Sequence, residues 1–282
     1  MRDQGAIVVA IFVGACMGFC GSAGSMEVWG IPLFALCTAF AFLIQWLVFI
    51  PSFLAQTEHY YDLTGSLTYI SVMVCALYLG QASWLQCLMG GMVLFWAVRL
   101  GSFLFARVKR AGGDSRFENK DKWAWFLMCW TLQALWVVLT SAPVVVVLTS
   151  SIEPSFHPSV VVGGILWCTG MTIEMLADHQ KTQFRSNPDN KGKFITTGLW
   201  GVVRHPNYAG EILLWTGLAV MSIPFLTGLQ YVALISPVFV FVLLRYMSGV
   251  PFLAEAGEKR WGHLPEYREY IANTPIFIPN LK

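Results

Sequence analysis

Two carboxylates four residues apart, Glu174 and Asp178, interrupt an apolar run, and most of the chemistry-bearing side chains crowd behind them. Asp178 leads into His179-Gln180-Lys181-Thr182-Gln183-Phe184-Arg185. A polar turn with Lys193 follows, and then Arg204-His205-Pro206-Asn207-Tyr208-Ala209-Gly210-Glu211. Helical residues four apart share a face, so Asn207 and Glu211 can together hydrogen-bond a ribose or an amide. Pro206 suits a first helical turn, where its missing N–H costs nothing. The amides after it, beside Lys193, Arg204 and His205, make a phosphate cradle. An interfacial loop of solvated charges is the alternative, but it has no need of Asn, His, Tyr and Glu around one helix start.

A second polar knot, Gln56 to Ser66, contains Glu58, Tyr60, Tyr61 and Asp62 and no Lys or Arg. A carboxyl in a semi-dry pocket has a raised pKa and can donate a proton; equally, Asp62, Thr64 or Ser66 can cap the helix that follows. Arg110 to Phe117, with Arg116, is a glycine-hinged basic loop able to meet a phosphate or lipid headgroups. The tail, Glu255 to Trp261 and Glu266 to Tyr270, is amphipathic, with aromatics that could cover a pocket mouth.

These residues must be positioned by membrane helices. The chain has 282 residues, of which 56% are hydrophobic and 12% charged, and a mean hydropathy of +0.60. Soluble domains carry about 25% charged residues. Runs of the roughly 20 apolar residues a span needs fall at 6–25, 30–54, 66–81, 85–107, 123–149, 159–179, 207–225 and 228–247. The weakly marked join at 82–84 leaves seven or eight spans open. The expected fold is therefore an all-α polytopic bundle of 7–8 spans in a single membrane domain, 1–282. Residues 1–150 form its substrate side and 151–282 its cofactor side. Gly14, Gly18, Gly21 and Gly24 suit close packing of the first helix.

With eight spans, alternation places the N-terminus, 55–65, 108–122, 180–206 and the tail from 248 on one side, together with nearly every Lys and Arg. The opposite connections carry none. The positive-inside rule makes the basic side, with both termini, cytosolic. Arg99, Glu174, Asp178, Glu211 and Arg245 lie within spans, where charges usually face the bundle interior. For Arg245 and Arg107 the alternative is snorkelling to the interface, and for Arg99 and Glu211 a buried ion pair. Seven cysteines, all in apolar runs with no CxxC pair, read as packing thiols and imply no metal. The N-terminal run reads as a retained span and not a signal peptide. The net charge of +2 gives no reason to expect a nucleic-acid partner, and neither a Rossmann fingerprint nor a P-loop is present.

Gly170 to Glu211, with Asp178, Arg185, Gly198-Leu199-Trp200 and Arg204-His205-Pro206-Asn207-Tyr208…Gly210-Glu211, resembles the C-terminal domain of the steroid 5-alpha-reductase superfamily. Gln56…Tyr61-Asp62-Leu63-Thr64-Gly65-Ser66, Arg99-Leu100-Gly101-Ser102 and Ser248-Gly249-Val250-Pro251…Arg260-Trp261-Gly262 resemble its polytopic membrane branch. The resemblance implies about seven helices, NADPH held from the cytosolic side, and hydride transfer to an activated C=C bond of a lipid such as an enone. Asp178, Arg185, Asn207 and Glu211 match the positions by which the reductases hold NADPH. Glu174 stands where the steroid enzymes have Asn, Lys193 near an Arg, and Trp96 at the place of a substrate-polarising Tyr.

The cofactor set expected on this basis is Arg99, Arg116, Glu174, Asp178, Arg185, Lys193, Arg204, His205, Asn207, Tyr208, Glu211, Glu255 and Tyr267. The proton donors expected are Glu58, Tyr61 and Asp62, with Tyr60 beside them. A rival resemblance is to isoprenylcysteine carboxyl methyltransferases, which share the Arg-His-Pro…Tyr…Glu helix start and use S-adenosylmethionine, but lack the Asp-Leu-Thr-Gly-Ser segment. A third reading, a scaffold or transporter, fits less well because transport sites sit at the midplane. The substrate, the particular membrane and the oligomeric state are not legible in the sequence.

Overall fold

A computed structural model describes residues 2–111 and 115–279. The centre of the predicted glycine-hinged loop, Gly112 to Asp114, and the C-terminal Lys282 lie outside the described residues. Among the described residues, eight helices are long and apolar enough to cross a membrane, and the one sheet is a hairpin pairing β1 (Glu27–Val28) with β2 (Ile31–Pro32). The helices are α1 (Arg2–Gly21), α2 (Leu33–Leu54), α3 (Tyr61–Leu79), α4 (Trp84–Ala111), α5 (Trp123–Leu148), α6 (Pro158–Ser186), the single turn α7 (Leu199–Val202), α8 (Pro206–Ser222), α9 (Ser236–Val242), α10 (Val250–Trp261) and α11 (Pro265–Asn273).

Two of the boundaries that differ from expectation bear on the predicted polar residues. The third span starts at Tyr61, not 66, so the predicted capping residues are inside the helix: its N-cap is Tyr60, with no side-chain cap bond. Thr64 instead donates back to the Tyr60 carbonyl at 2.7 Å. The sixth span runs to Ser186, not 179, because its last two turns are polar and helical at once. The eighth candidate span, Gly228–Trp261, is irregular. It opens as a 3-10 helix over Gly228–Ile235 and carries a π-helical turn, Leu243–Met247, between α9 and α10.

The chain forms two compact units. The first comprises Met1–Pro158 and Ser222–Ser236. Its centre is α5, with 89% of its apolar window buried, ringed by α1, α2, α3, α4 and the 3-10 helix Gly228–Ile235. Lipid tails are as apolar as leucine, so such helices associate through close backbone approach and hydrogen bonds. The glycines of α1 provide the first: a Cβ on Gly14 would lie 2.7 Å from the Phe42 ring, and Gly21 faces Phe34 in the same way. Gln45 Nε2 donating to Thr68 Oγ1 at 2.9 Å, and Trp46 Nε1 to Thr131 Oγ1 at 3.1 Å, provide the second.

The connections of this unit sort by charge. At one end Ser25 bridges Ser150, Gln86 Nε2 donates to the Val147 carbonyl at 2.8 Å, and Gln230 donates to the Ala23 carbonyl. These turns contain no Lys or Arg. At the other end Lys120 meets Glu58, while Arg116 and Arg107 meet Asp62 at 3.0 and 3.6 Å. Connections 55–60 and 115–122 thus lie at the same end, as alternation requires.

The second unit comprises Ser159–Met221 and Pro237–Lys282. Antiparallel α6 and α8 touch backbone to backbone. A Cβ on Gly170 would lie 2.5 Å from the Gly210 carbonyl oxygen, and one on Gly163 would lie 2.4 Å from that of Gly217. Glycine at all four positions permits this approach and sets the register of the polar residues one turn further on.

Candidate functional site

The glycine contacts in the second unit bring the two predicted polar faces together. Glu174 and Asp178 on α6 face Asn207 and Glu211 on α8: Asn207 Nδ2 donates to Asp178 Oδ1 at 3.3 Å, and Glu174 packs against Gly210. Glu174, Asp178 and Glu211 are all buried. Asn207 Oδ1, Arg204 Nε and His205 Nδ1 are buried too, with no hydrogen-bond partner among the described residues. Buried polar atoms normally have partners, so three orphans within four residues make this the candidate ligand site.

Beside them is a cavity of about 170 Å3. The outer turns of α6 give it Lys181, Phe184 and Arg185; the connection to α8 gives Lys193, Phe194, Trp200, Arg204 and His205; α10 and α11 give Gly257, Arg260, Trp261, Tyr267 and Tyr270. Lys181, Arg185, Lys193, Arg204 and Arg260 bring cationic groups to this wall, and none of its lining residues is Asp or Glu. Such a surface attracts a polyanion. Burial, then the nearby Lys181, Arg204 and Arg245 charges, push His205 down to about 3. Its ring is therefore neutral at pH 7 and serves as a hydrogen-bonding group, stacked on Tyr208 with centroids 5.5 Å apart.

The tail closes this wall through specific bonds. Trp261 Nε1 donates to the Gly192 carbonyl at 2.5 Å, and Tyr270 Oη to that of Trp200 at 2.7 Å. The amides of Arg204 and His205 donate to the carbonyls of Pro275 and Ile276 at 2.8 and 3.1 Å. Phe194 meets Tyr267, Tyr270 and Trp261 at centroid distances of 5.0, 5.7 and 5.8 Å. Burial raises the pKa of Tyr267, and that of Tyr270 to about 12.

The second unit thus gathers Glu174, Asp178, Arg185, Lys193, Arg204, His205, Asn207, Tyr208, Glu211 and Tyr267. Of the other expected members, Glu255 is not among the residues that line the cavity, and Arg99 and Arg116 belong to the first unit. Glu255 is exposed and pairs with Lys259 at 2.7 Å, one turn along α10, because the opposite face of that helix lines the cavity. Arg99 belongs to the first unit, with its guanidinium 5.5 Å from the Phe103 ring centroid. Arg116 is also in the first unit and is engaged with Asp62.

The predicted proton donors each have a partner within the first unit. Glu58 is buried against Lys120, and Asp62 faces two guanidinium groups. Tyr61 donates to the Cys129 carbonyl at 2.9 Å, and its ring packs in the aromatic cluster of Phe117, Phe126 and Trp130. Lys181, Trp200, Arg260 and Tyr270 line the cavity but were not among the expected site residues. The signal for Lys181 was helical spacing: once α6 runs to Ser186, residues 174, 178, 181 and 185 share a face.

A family profile described as "Protein of unknown function (DUF1295)" matches residues 46–274. The 3-oxo-5-alpha-steroid 4-dehydrogenase 1 of Homo sapiens is 32% identical over 124 residues, 44% of this chain and 42% of that protein. The Delta(14)-sterol reductase LBR of Gallus gallus is 44% identical over 63 residues, 18% of this chain and 10% of that protein. The probable O-methyltransferase ustE of Ustilaginoidea virens is 37% identical over 70 residues, 25% of each. The chain therefore spans less than half the length of these curated relatives, and no solved structure matches it. The steroid and sterol relatives agree with the superfamily resemblance carried by Gly170 to Glu211.

Proposed function

We propose that this chain, which belongs to the family described as protein of unknown function (DUF1295), is an integral membrane reductase. It uses NADPH to reduce a C=C bond of a lipid-like molecule, such as an enone or a steroid or isoprenoid. One observation carries this reading: a cavity walled by Lys181, Arg185, Lys193, Arg204 and Arg260, with no acidic lining residue, lies beside the orphaned Asn207 Oδ1. The cations neutralise phosphate groups, and the planar aromatic walls suit a base. Asn207, held by Asp178, offers its carbonyl oxygen to an amide N–H, with Glu174 and Glu211 beside it. Bound there, NADPH supplies a hydride. By the positive-inside rule this basic face is cytosolic, and the substrate comes from the bilayer.

The methyltransferase relative supports a second reading, in which the same helix start holds S-adenosylmethionine. That molecule is a sulfonium cation without phosphates, so the basic wall works against it. Titrating detergent-purified protein with NADPH, NADH and S-adenosylmethionine, with thermal stability as the readout, separates the two. The reductase reading expects stabilisation by NADPH at concentrations about tenfold below those needed for NADH, as loss of one phosphate contact implies. Stabilisation by S-adenosylmethionine alone would sink it.

A further inference from the structure

We infer that Trp200 is a positioning residue: its indole face holds the Lys181 ammonium at the wall of the basic cavity, ready to meet a phosphate group. The inference rests on reading that cavity as an anion site. Lys181 Nζ lies 4.3 Å from the Trp200 ring centroid, well inside the range over which a cation is drawn to an indole face. The ring is itself fixed. Trp200 is 3% exposed, and its Nε1 donates to the Ala177 carbonyl at 3.0 Å, one helical turn before Lys181. Its own carbonyl accepts from Tyr270 Oη at 2.7 Å. The preceding turn is held by Gln180, whose Oε1 accepts from the Leu199 amide at 3.0 Å.

Clustered cations repel, and a lysine in such a cluster swings into water unless something holds it. A carboxylate would hold it but cancel the charge that a ligand needs. An indole face attracts the ammonium and carries no net charge. Fixing a long, flexible side chain in advance also lowers the ordering cost of binding.

The test uses inorganic pyrophosphate and NADPH as probes on the full-length protein in detergent, at low and high salt. Trp200→Phe keeps an aromatic face but loses the N–H, whereas Trp200→Leu loses both. The pyrophosphate Kd should rise about tenfold in Trp200→Leu and about twofold in Trp200→Phe. The leucine variant should also show a flatter salt dependence, and neither change should weaken binding further in a Lys181→Gln background. Equal losses in the two variants with unchanged salt dependence would assign Trp200 a purely structural role and overturn the inference. If Trp200→Leu does not fold, Trp200→Phe carries the test: an equal loss with and without Lys181 overturns it. Wild-type protein that binds pyrophosphate but not NADPH would remove the reductase reading and leave this one standing; binding of neither overturns both.

Discussion

Asn207 Nδ2 donates to Asp178 Oδ1 at 3.3 Å, tying the first turn of α8 to α6, while its Oδ1 is buried without a partner among the described residues. The amide is half satisfied, which fits a group oriented by the protein for a ligand. Asn207→Ala should therefore cost little stability, about 1 kcal/mol for one hydrogen bond. It should weaken NADPH binding by at least about tenfold, the cost of leaving a polar ligand group unmet. Thermal unfolding and a cofactor titration on the same sample check this. A large stability loss with unchanged cofactor affinity would assign Asn207 to the fold alone.

Gly170 and Gly210 meet backbone to backbone, and a Cβ on either would lie 2.5 Å from the other's carbonyl oxygen. No side chain can rotate away to relieve that contact, so the helices must separate. Gly210→Ala should destabilise by about 1–3 kcal/mol, the range for overpacking, and loosen the Asn207–Asp178 contact one turn away. Gly164→Ala is the matched control, because nothing lies within 4 Å of a Cβ there. Unfolding midpoints of the two variants should separate clearly, and coincidence would show that the helices can part without cost.

The spans, the pairing of Glu174 with Asp178 and the small face of α1 were legible because each is a local pattern with a helical period. The polar end of α6 was not: where a helix leaves the bilayer its apolar signal stops, so His179 to Ser186 read as loop. Lys181 and its relation to Trp200 were lost with it. The meeting of Glu58 with Lys120, across 62 residues of chain, is tertiary and leaves no local trace. Its cation, like the Arg116 guanidinium beside Asp62, comes from another connection. Glu255 was misplaced for the converse reason. An amphipathic tail helix is obvious in sequence, but which face meets the cavity depends on where Gly257 lets Tyr267 approach.

Glu58 and Lys120 form an ion pair in which the carboxylate is nearly sealed and the ammonium about a third exposed, with side-chain exposures of 3% and 31%. Removing one partner of a buried pair costs about 3–5 kcal/mol; with Lys120 partly in water, Lys120→Met should cost about 2 kcal/mol, discounted for screening. Replacing both, as Glu58→Gln with Lys120→Met, should recover part of that loss. Chemical denaturation of the two single variants and the double variant measures the coupling, and strict additivity would show that the pair contributes nothing to the fold.

His205 ties stability to pH with a definite sign. Its folded pKa is pushed from the ordinary 6.5 to about 3, chiefly by burial. Between those values the unfolded chain binds the extra proton, so stability rises with pH across that window and is lost as pH falls below 6.5. The slope for one such group is about 1.4 kcal/mol per pH unit. Taking wild type from pH 6.5 to 5 should therefore cost it about 2 kcal/mol more than His205→Gln, which has no proton to gain. Bound pyrophosphate should shrink that difference, because an anion beside the ring favours the imidazolium. Unfolding curves at the two pH values, with and without pyrophosphate, supply all four numbers. Parallel losses in wild type and variant would mean that the ring is already solvated, and with it the neutral wall position assigned to His205 would fall.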